Sequence, residues 1–281
     1  MSIAFYSLTL AFLLLRPANT AAHAMQALCI WGKNVVPILF PYMVFSRLLS
    51  QRLHARHMPV VPMITLLGLI GGSPSGAAIV ASSASQLTAR SLFALSALCG
   101  TISPMFILGT LETWILDAKL CRMLLGVHWL SAITCAGITW LFENNQNTPH
   151  SAFSPDAELS FAQAIAQSID AILQVGGCII CCSVLSGLFE ELFHNQHPFT
   201  ILLHAVLEIS GGTHALWQST FSHTAKCILL SSALGFGSVS ILMQNHAVLS
   251  QLGLPMQKLF LFALLRMLCS GTCMALLLTL L

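Results

Sequence analysis

Charged residues are scarce in this chain. Aspartate, glutamate, lysine and arginine make up 7% of its 281 residues, whereas hydrophobic residues make up 56%. Soluble domains carry about 25% charged residues, so the composition excludes an ordinary soluble domain. It predicts instead a multi-pass protein of the cell membrane, with the lipid bilayer as a partner.

Basic clusters and catalytic motifs are missing as well. The formal net charge is only +2, and no basic patch is interleaved with aromatic residues, so we expect no nucleic-acid partner. The sequence contains no nucleophile elbow, phosphate-binding loop, dinucleotide fingerprint or H-E-x-x-H motif. Nothing in it predicts an enzyme, and we expect no cofactor.

Cysteine and histidine are more frequent, but their patterns indicate no metal site. Most of the ten cysteines lie inside apolar runs, where cysteine behaves as a small hydrophobic residue. The C-x-x-C-C run of Cys178–Cys182 has no matching second pair. Two H-x-x-H pairs, His54–His57 and His194–His197, have helical spacing, but the sequence places no further ligands beside them.

Apolar runs of about 20 residues predict eight or nine membrane segments. The strongly polar stretch Glu143–Ser160 interrupts them and is expected to be a loop that joins two halves. The run Ile3–Leu15 has the flanks of a first membrane segment more than those of a cleaved signal peptide. The expected segments are 2–18, 24–49, 60–88, 91–116, 120–142, 162–190, 199–221, 224–250 and 256–281.

The two halves of the chain repeat each other. A shift of 140 residues places Gly71–Ser73 on Gly211–Thr213, and a shift of 137 places Gly100–Ser103 on Gly237–Ser240. Paired helix breaks in internal repeats are typical of secondary transporters. The predicted organisation is an extra N-terminal helix (1–23), repeat A (24–142), a polar linker (143–161) and repeat B (162–281).

The orientation of the two repeats depends on their Gly-Gly segments. If these segments are re-entrant hairpins, each repeat crosses the membrane three times and the copies are inverted; if they cross it, the copies are parallel. The loop of the second copy carries Glu190 and Glu191 but no lysine or arginine, which favours inversion. Inversion would, however, place Lys119 and Arg122 outside, so the charge pattern does not decide between the two. We expect an all-α polytopic membrane protein with a duplicated, inverted repeat and discontinuous helices or re-entrant hairpins.

The first break, Gly71–Gly76, is a candidate binding element. Broken backbone at membrane depth survives only against protein or a wet cavity. We expect Ser73 and Ser75 to cap the half-helix that follows, whose N-terminus would attract a polar ligand oxygen. The alternative is a tight turn between two packed helices.

Glu208 is the most prominent single residue. It lies in the apolar run HAVLEISGG, where an ionisable group costs several kcal/mol unless it is paired or wetted. It could accept a ligand hydroxyl, bind a cation or carry a coupling proton. The alternatives are an internal helix cap or a salt bridge to Lys226 or Arg266.

The broken segments together predict a binding site for a small polar solute or ion. Its expected residues are Gly71, Gly72, Ser73, Pro74, Ser75, Gly76, Ser103, Glu208, Gly211, Gly212, Thr213, Ser238, Ser240 and Asn245.

Five runs carry a family resemblance: VVPILFPYMVFSRLL, GLIGGSPSGAAIVA, GTISPMFILGT, LEISGG and LGFGSVSILMQN. They resemble the YlbJ-type sporulation integral membrane proteins, which belong to the wider group that carries the nucleoside-recognition Gate domain. The resemblance covers about Ala27 to Leu281 and implies a helical-hairpin, inverted-repeat core and a role in spore cortex formation. The first break departs from the family's usual GYPSGAK-like pattern, since Gly72-Ser73 precedes the proline and Ala78 replaces the lysine.

Three functions follow from these observations. The leading prediction is a transporter-like protein that binds or moves a small polar solute between the two repeats, with a role in sporulation. A non-transporting membrane scaffold for envelope or spore assembly is the alternative, and a metal-ion permease is a weaker one. Association into a homo-oligomer is compatible with each of them.

Overall fold

The computed structural model describes residues 3–56, 58–143, 159–193 and 198–280. Throughout these residues the regular secondary structure is helical, and no strand is present. The prediction of an all-α protein is therefore confirmed.

The first half contains eight helices joined by short turns and π-helical segments. They are α1 (Ile3–Leu15), α2 (Pro17–Ile30), a π-helical segment (Trp31–Val35), α3 (Val36–Ala55), α4 (Val60–Gly71), α5 (Ser75–Ser82), a 3-10 turn (Ala84–Gln86), α6 (Ala89–Cys99), a second π-helical segment (Phe106–Leu111), α7 (Glu112–Ile115) and α8 (Ala118–Phe142).

The second half contains six further helices. They are α9 (Phe161–Phe193), α10 (Pro198–Leu207), α11 (Ile209–Gln218), α12 (His223–Phe236), α13 (Val239–Leu249), a 3-10 turn (Ser250–Leu252) and α14 (Met256–Leu280).

Five helical stretches are long and apolar enough to cross a membrane: Pro17–Leu53, Ala118–Phe142, Phe161–Glu190, His223–Leu252 and Met256–Leu280. Four shorter apolar helices accompany them: Val60–Gly71, Ala89–Cys99, Phe106–Ile115 and Pro198–Leu207. The division at 1–23, 24–142, 143–161 and 162–281 stays a prediction. Residues 144–158 of the predicted linker lie outside the described residues.

Helices α10 and α11 form a hairpin, named hairpin B. Gly212 of α11 packs on Ala205 of α10, and a Cβ at Gly212 would overlap the backbone of Ala205. Because these residues lie on either side of the break at Glu208, the two helices run side by side in opposite directions.

Helices α4 and α5 form the corresponding hairpin A. Gly68 on α4 and Gly76 on α5 are each four residues from Gly72, and both press against Cys99 at the end of α6. The chain therefore doubles back at Gly72.

Corresponding helices of the two halves meet in pairs. Helix α3 packs on α9, and α8 packs on α14. Within each half, α6 packs on α8 in the same way as α12 packs on α14. The buried apolar side chains form two large clusters, and each contains residues from both halves, so the halves share one packed interior.

Candidate functional site

The first predicted break is present at Gly72, where α4 ends. Gly72 has a φ of 61°, a conformation that favours glycine. A Cβ on it would lie 2.5 Å from the backbone nitrogen of Ser103. The tip of hairpin A therefore rests directly on the unwound segment that follows α6.

The prediction that Ser73 and Ser75 cap α5 is wrong. Pro74 occupies the N-cap position, and no side chain caps the helix. The Ser73 backbone N–H donates to the carbonyl of Thr101 at 2.6 Å, and its hydroxyl donates to Oδ1 of Asn245 at 2.8 Å. Ser73 thus bonds both the unwound segment after α6 and helix α13. The buried Ser75 hydroxyl has no hydrogen-bond partner.

The second pair of breaks is also present as predicted. Helix α6 ends at Cys99, before the second π-helical segment begins at Phe106. Helix α12 ends at Phe236, and α13 begins at Val239. Between the latter two, Gly237 and Ser238 have φ values of 92° and 102°.

Arg266 of α14 joins these two breaks. It is 2% exposed, and its guanidinium donates to the carbonyls of Ala97 at 2.8 Å and of Gly100 and Gly235 at 3.2 Å each. Ala97 lies in the last turn of α6 and Gly235 in the last turn of α12, where carbonyls lack helical partners. One side chain thus supplies donors to the ends of both broken helices.

Helix dipoles explain how this charge is tolerated. A helix C-terminus is equivalent to about half a negative charge, so two such ends offset one guanidinium. In the part of the chain that the structure describes, no carboxylate forms an ion pair with Arg266. The alternative salt bridge between Glu208 and Arg266 is therefore not formed.

His128 occupies the corresponding place in the first half. The shift of 138 residues that relates the bounds of α8 to those of α14 also relates His128 to Arg266. His128 is fully buried, and its Nε2 lies 3.2 Å from the carbonyl of Ile102, in the unwound segment after α6. Its Nδ1 has no hydrogen-bond partner.

A set of buried polar side chains surrounds these breaks, and we name it the central polar junction: Ser73, Ser75, Ser96, Thr101, Asn245 and Arg266. Asn245 connects two of the breaks, because its Nδ2 donates to the carbonyl of Gly100 at 3.2 Å while its Oδ1 accepts from Ser73. The hydroxyls of Ser75, Ser96 and Thr101 are buried without a partner. A narrow crevice beside Ser96, Asn245 and Arg266 is too small for a water molecule. The junction is therefore closed in this conformation.

Glu208 lies in the break of hairpin B and is 2% exposed. Its carboxylate accepts hydrogen bonds from the backbone N–H of Ser210 at 2.8 Å and of Gly211 at 2.6 Å. This is the geometry of a helix N-cap, one of the alternatives, and the positive end of the helix dipole stabilises the carboxylate. A role in solute or proton binding stays a prediction.

The predicted position of the second hairpin tip is wrong. Gly211, Gly212 and Thr213 lie inside α11, and the break is at Glu208. The two glycines allow α11 to approach α10, since a Cβ at Gly211 would lie 2.8 Å from Nε2 of His204. The hydroxyl of Thr213 donates within its own helix, to the carbonyl of Ile209 at 2.6 Å.

The remaining predicted site residues have local structural contacts. Ser103 and Ser238 accept hydrogen bonds from backbone N–H groups in the first turns of the segments that follow them. Ser240 accepts from the side chain of Gln244 at 3.2 Å. At Gly71, a Cβ would meet the ring of Tyr42. The structure thus brings Ser73 and Asn245 together, whereas the hydrogen bonds described for Glu208 and Thr213 stay within hairpin B.

The histidine and cysteine patterns do not assemble into a site among the described residues. No group of three or more histidine, cysteine, aspartate or glutamate side chains there could hold a metal ion, and every described cysteine is free. His57, His194 and His197 lie outside the described residues, as does the side chain of His54.

Sequence reasoning missed Arg266, His128, Ser96 and Thr101 as members of the site. A signal for Arg266 was present, because a lone arginine in the apolar run LFALLRMLCS marks an intramembrane functional position. His128 in the apolar run MLLGVHWL carries the same signal. Serine and threonine in apolar runs give none that is comparable, since most of them bond a carbonyl of their own helix.

Comparison with known proteins supports the membrane assignment. No family model matches this chain, and no solved structure matches it. A curated membrane protein does match it, along nearly its whole length. This multi-pass integral membrane protein is a distant relative of the sporulation integral membrane protein YlbJ of Bacillus subtilis (strain 168), with 22% identity over 320 aligned positions that cover 93% of this chain and 78% of that protein.

Proposed function

We propose that this chain is a transporter-like membrane protein that binds or moves a small polar solute at the central polar junction. The observation that carries the proposal is the meeting of three breaks from both halves of the chain around buried polar groups. Asn245 of α13 joins Ser73 of hairpin A to Gly100 after α6. Arg266 joins Gly100 to Gly235 at the end of α12. Broken helices that meet inside a membrane protein are the usual location of solute and ion sites.

The helix order supports a duplicated, inverted repeat with Gate-like halves. Each half has one long helix, one hairpin, one broken helix and one closing helix. A hairpin returns the chain to the side from which it came, so each half crosses the membrane three times. An odd number of crossings gives the second half the opposite orientation. Six crossings, two hairpins and α1 agree with the eight or nine predicted segments.

The unpartnered groups favour a solute that carries hydrogen-bond acceptors. The hydroxyls of Ser75, Ser96 and Thr101 can donate to it. A guanidinium has five N–H donors, and the described hydrogen bonds of Arg266 use three of them. Nucleosides and small carboxylates both carry suitable acceptor oxygens.

Entry of a solute requires hairpin A to move, because the crevice at the junction is closed. Two hydrogen bonds of Ser73 hold the hairpin tip in place, one to Thr101 and one to Asn245.

The relationship to YlbJ supports a role in sporulation. YlbJ is named a sporulation integral membrane protein. We extend this role to the present chain, together with the part in spore cortex formation that the family resemblance implies. Expression of the chain in a B. subtilis strain that lacks YlbJ is expected to restore heat-resistant spores; an unchanged spore yield despite correct membrane insertion would contradict this role.

A membrane scaffold for envelope or spore assembly is the second candidate. The closed junction favours it, since the breaks then serve only to pack helices closely. On this view the unpartnered hydroxyls have no function.

Replacing two of these hydroxyls distinguishes the candidates. Ser96→Ala combined with Thr101→Val removes hydroxyls that have no partner, so we expect almost no change in stability. Ser168→Ala is the control, because this buried serine bonds only the carbonyl of Ala164 in its own helix.

Thermal unfolding of the protein in nanodiscs is the assay, with nucleosides, amino acids, small carboxylates and sodium chloride as candidate ligands. If a ligand raises the melting temperature of the wild type and of Ser168→Ala but not of the double variant, the junction binds it. An equal response in all three proteins places the solute elsewhere. No response from any of them, with full activity of the double variant in spores, supports the scaffold.

A further inference from the structure

An ionisable pair that the junction does not use joins hairpin B to α9. Nδ1 of His204 on α10 lies 2.9 Å from Oε1 of Glu190 on α9. The His204 side chain is 12% exposed and that of Glu190 is 20% exposed. Glu190 follows the apolar run SVLSGLF of α9, so we place the pair at the end of that candidate membrane segment.

The opposite face of the His204 ring points toward a second carboxylate. Nε2 is buried and has no hydrogen-bond partner. The position that a Cβ on Gly211 would occupy lies 2.8 Å from this Nε2 and 3.3 Å from Oε2 of Glu208. The imidazole nitrogen and the carboxylate oxygen therefore lie on the same side of Gly211, where the absence of a Cβ lets both approach, and no hydrogen bond joins them.

We infer that Glu190, His204 and Glu208 form a proton-binding relay, with Glu208 as its inner site. Histidine is suited to this role because one ring nitrogen can accept a proton while the other releases one. Its placement between an outer and an inner carboxylate gives the proton a direction.

The proton transfer balances without another reactant. When the His204 ring turns to within hydrogen-bond distance of Glu208, its imidazolium releases the Nε2 proton to Oε2, which breaks one N–H bond and forms one O–H bond. The neutral ring keeps its Nδ1 proton toward Glu190 and takes up a new proton from the side of Glu190. One proton from outside the hairpin thus ends on Glu208.

Protonation of Glu208 changes the hairpin itself. As a carboxylate, Glu208 accepts from the N–H groups of Ser210 and Gly211 at the start of α11. A protonated oxygen no longer accepts as a charged group, so the cap of α11 weakens. Proton binding is thereby linked to the stability of the break between α10 and α11.

Few other titratable groups face this relay. On α2, His23 packs against Gly187 of α9 and lies close enough to act on Glu190. On α9, Cys182 lies close enough to Glu208 for the two groups to interact electrostatically. The side chain of Glu191 lies outside the described residues.

Infrared difference spectroscopy of the full-length protein in nanodiscs tests the relay. The difference between spectra recorded at pH 5 and at pH 8 is expected to contain a protonated-carboxyl band, and Glu208→Gln is expected to abolish it. Glutamine keeps an acceptor oxygen for the cap, so this variant is expected to fold. His204→Gln is expected to remove the imidazolium bands and to shift the carboxyl band.

His214→Gln is the matched control, because His214 is in the same hairpin but packs against the ring of Trp114. Its carboxyl band should equal that of the wild type. If Glu208→Gln leaves all carboxyl bands unchanged, Glu208 holds no proton and the relay is refuted. A band that His204→Gln leaves unshifted also refutes it.

The use of the proton to drive solute movement rests on the proposed function, whereas the spectra are recorded without a solute. A protein that shows the carboxyl band but binds no solute would retain the relay and lose the transport proposal. A protein that binds a solute but lacks the carboxyl band would retain the transport proposal and lose the relay.

Discussion

Arg266→Met removes the donor that joins the ends of two broken helices. Methionine resembles the arginine stem in length, so the change tests the guanidinium rather than the packing of the methylene groups. The carbonyls of Ala97 and Gly235 lose the hydrogen bonds that Arg266 gives them, whereas the carbonyl of Gly100 keeps Asn245. The carbonyls at both helix ends then remain buried with fewer hydrogen-bond donors.

The magnitude follows from these contacts. A buried carbonyl left without a donor costs about 1–3 kcal/mol, and two of them are affected. No carboxylate among the described residues pairs with Arg266, so the substitution leaves no uncompensated charge. We therefore expect Arg266→Met to lower the free energy of unfolding by about 2–6 kcal/mol, and Arg266→Lys by somewhat less, because one ammonium cannot reach all three carbonyls.

Denaturation in mixed micelles, followed by circular dichroism, measures this change. Arg122→Met is the matched control, since Arg122 is exposed on α8 and surface changes are usually within about 0.5 kcal/mol. A loss below about 1 kcal/mol for Arg266→Met, or no difference from Arg122→Met, would refute this account of the junction.

Two further predictions concern hairpin A and its helix partners. Gly72→Ala is expected to prevent stable folding, because the φ of Gly72 is 61° and a Cβ would meet the backbone of Ser103. The control is Gly126→Ala on α8, where the space around the glycine is open, and it should raise the free energy of unfolding by about 0.5–1 kcal/mol. Equal yields of the two folded variants would contradict this prediction. Ser73→Ala breaks the hydrogen bond to Asn245 and is expected to lower the free energy of unfolding by about 1–3 kcal/mol. It should also increase hydrogen exchange at the tip of hairpin A. Unchanged exchange there would show that Ser73 does not hold the hairpin closed.

The breaks show how far local sequence signals reach. Gly72 and Gly237 adopt positive φ values, and such positions are recognisable because few other residues adopt them. The Gly-Gly pair at Gly211 and Gly212 gave a false position for the second tip. Glycine also serves close helix packing, and a sequence does not distinguish a glycine that bends the chain from one that lets two helices touch.

Glu208 illustrates a second limit. The sequence marks a carboxylate in an apolar run as costly and therefore important. Two backbone N–H groups at the start of α11 satisfy its oxygens, and they exist only because the chain breaks at this residue. The position of the break, and with it the role of Glu208 as a cap, depends on how α10 and α11 pack.

The sequence by itself determined that this is a multi-pass helical membrane protein, because composition and the length of apolar runs follow directly from the thickness of a bilayer. It also located three of the four breaks, because glycine and proline act on their own backbone. Only the tertiary structure decided what meets at those breaks. Arg266 reaches carbonyls 31 to 169 residues away, and His204 of α10 contacts Glu190 of α9. Such contacts depend on the packing of helices that are separate in sequence, and in the case of Arg266 on helices from both halves, which no local pattern of residues specifies.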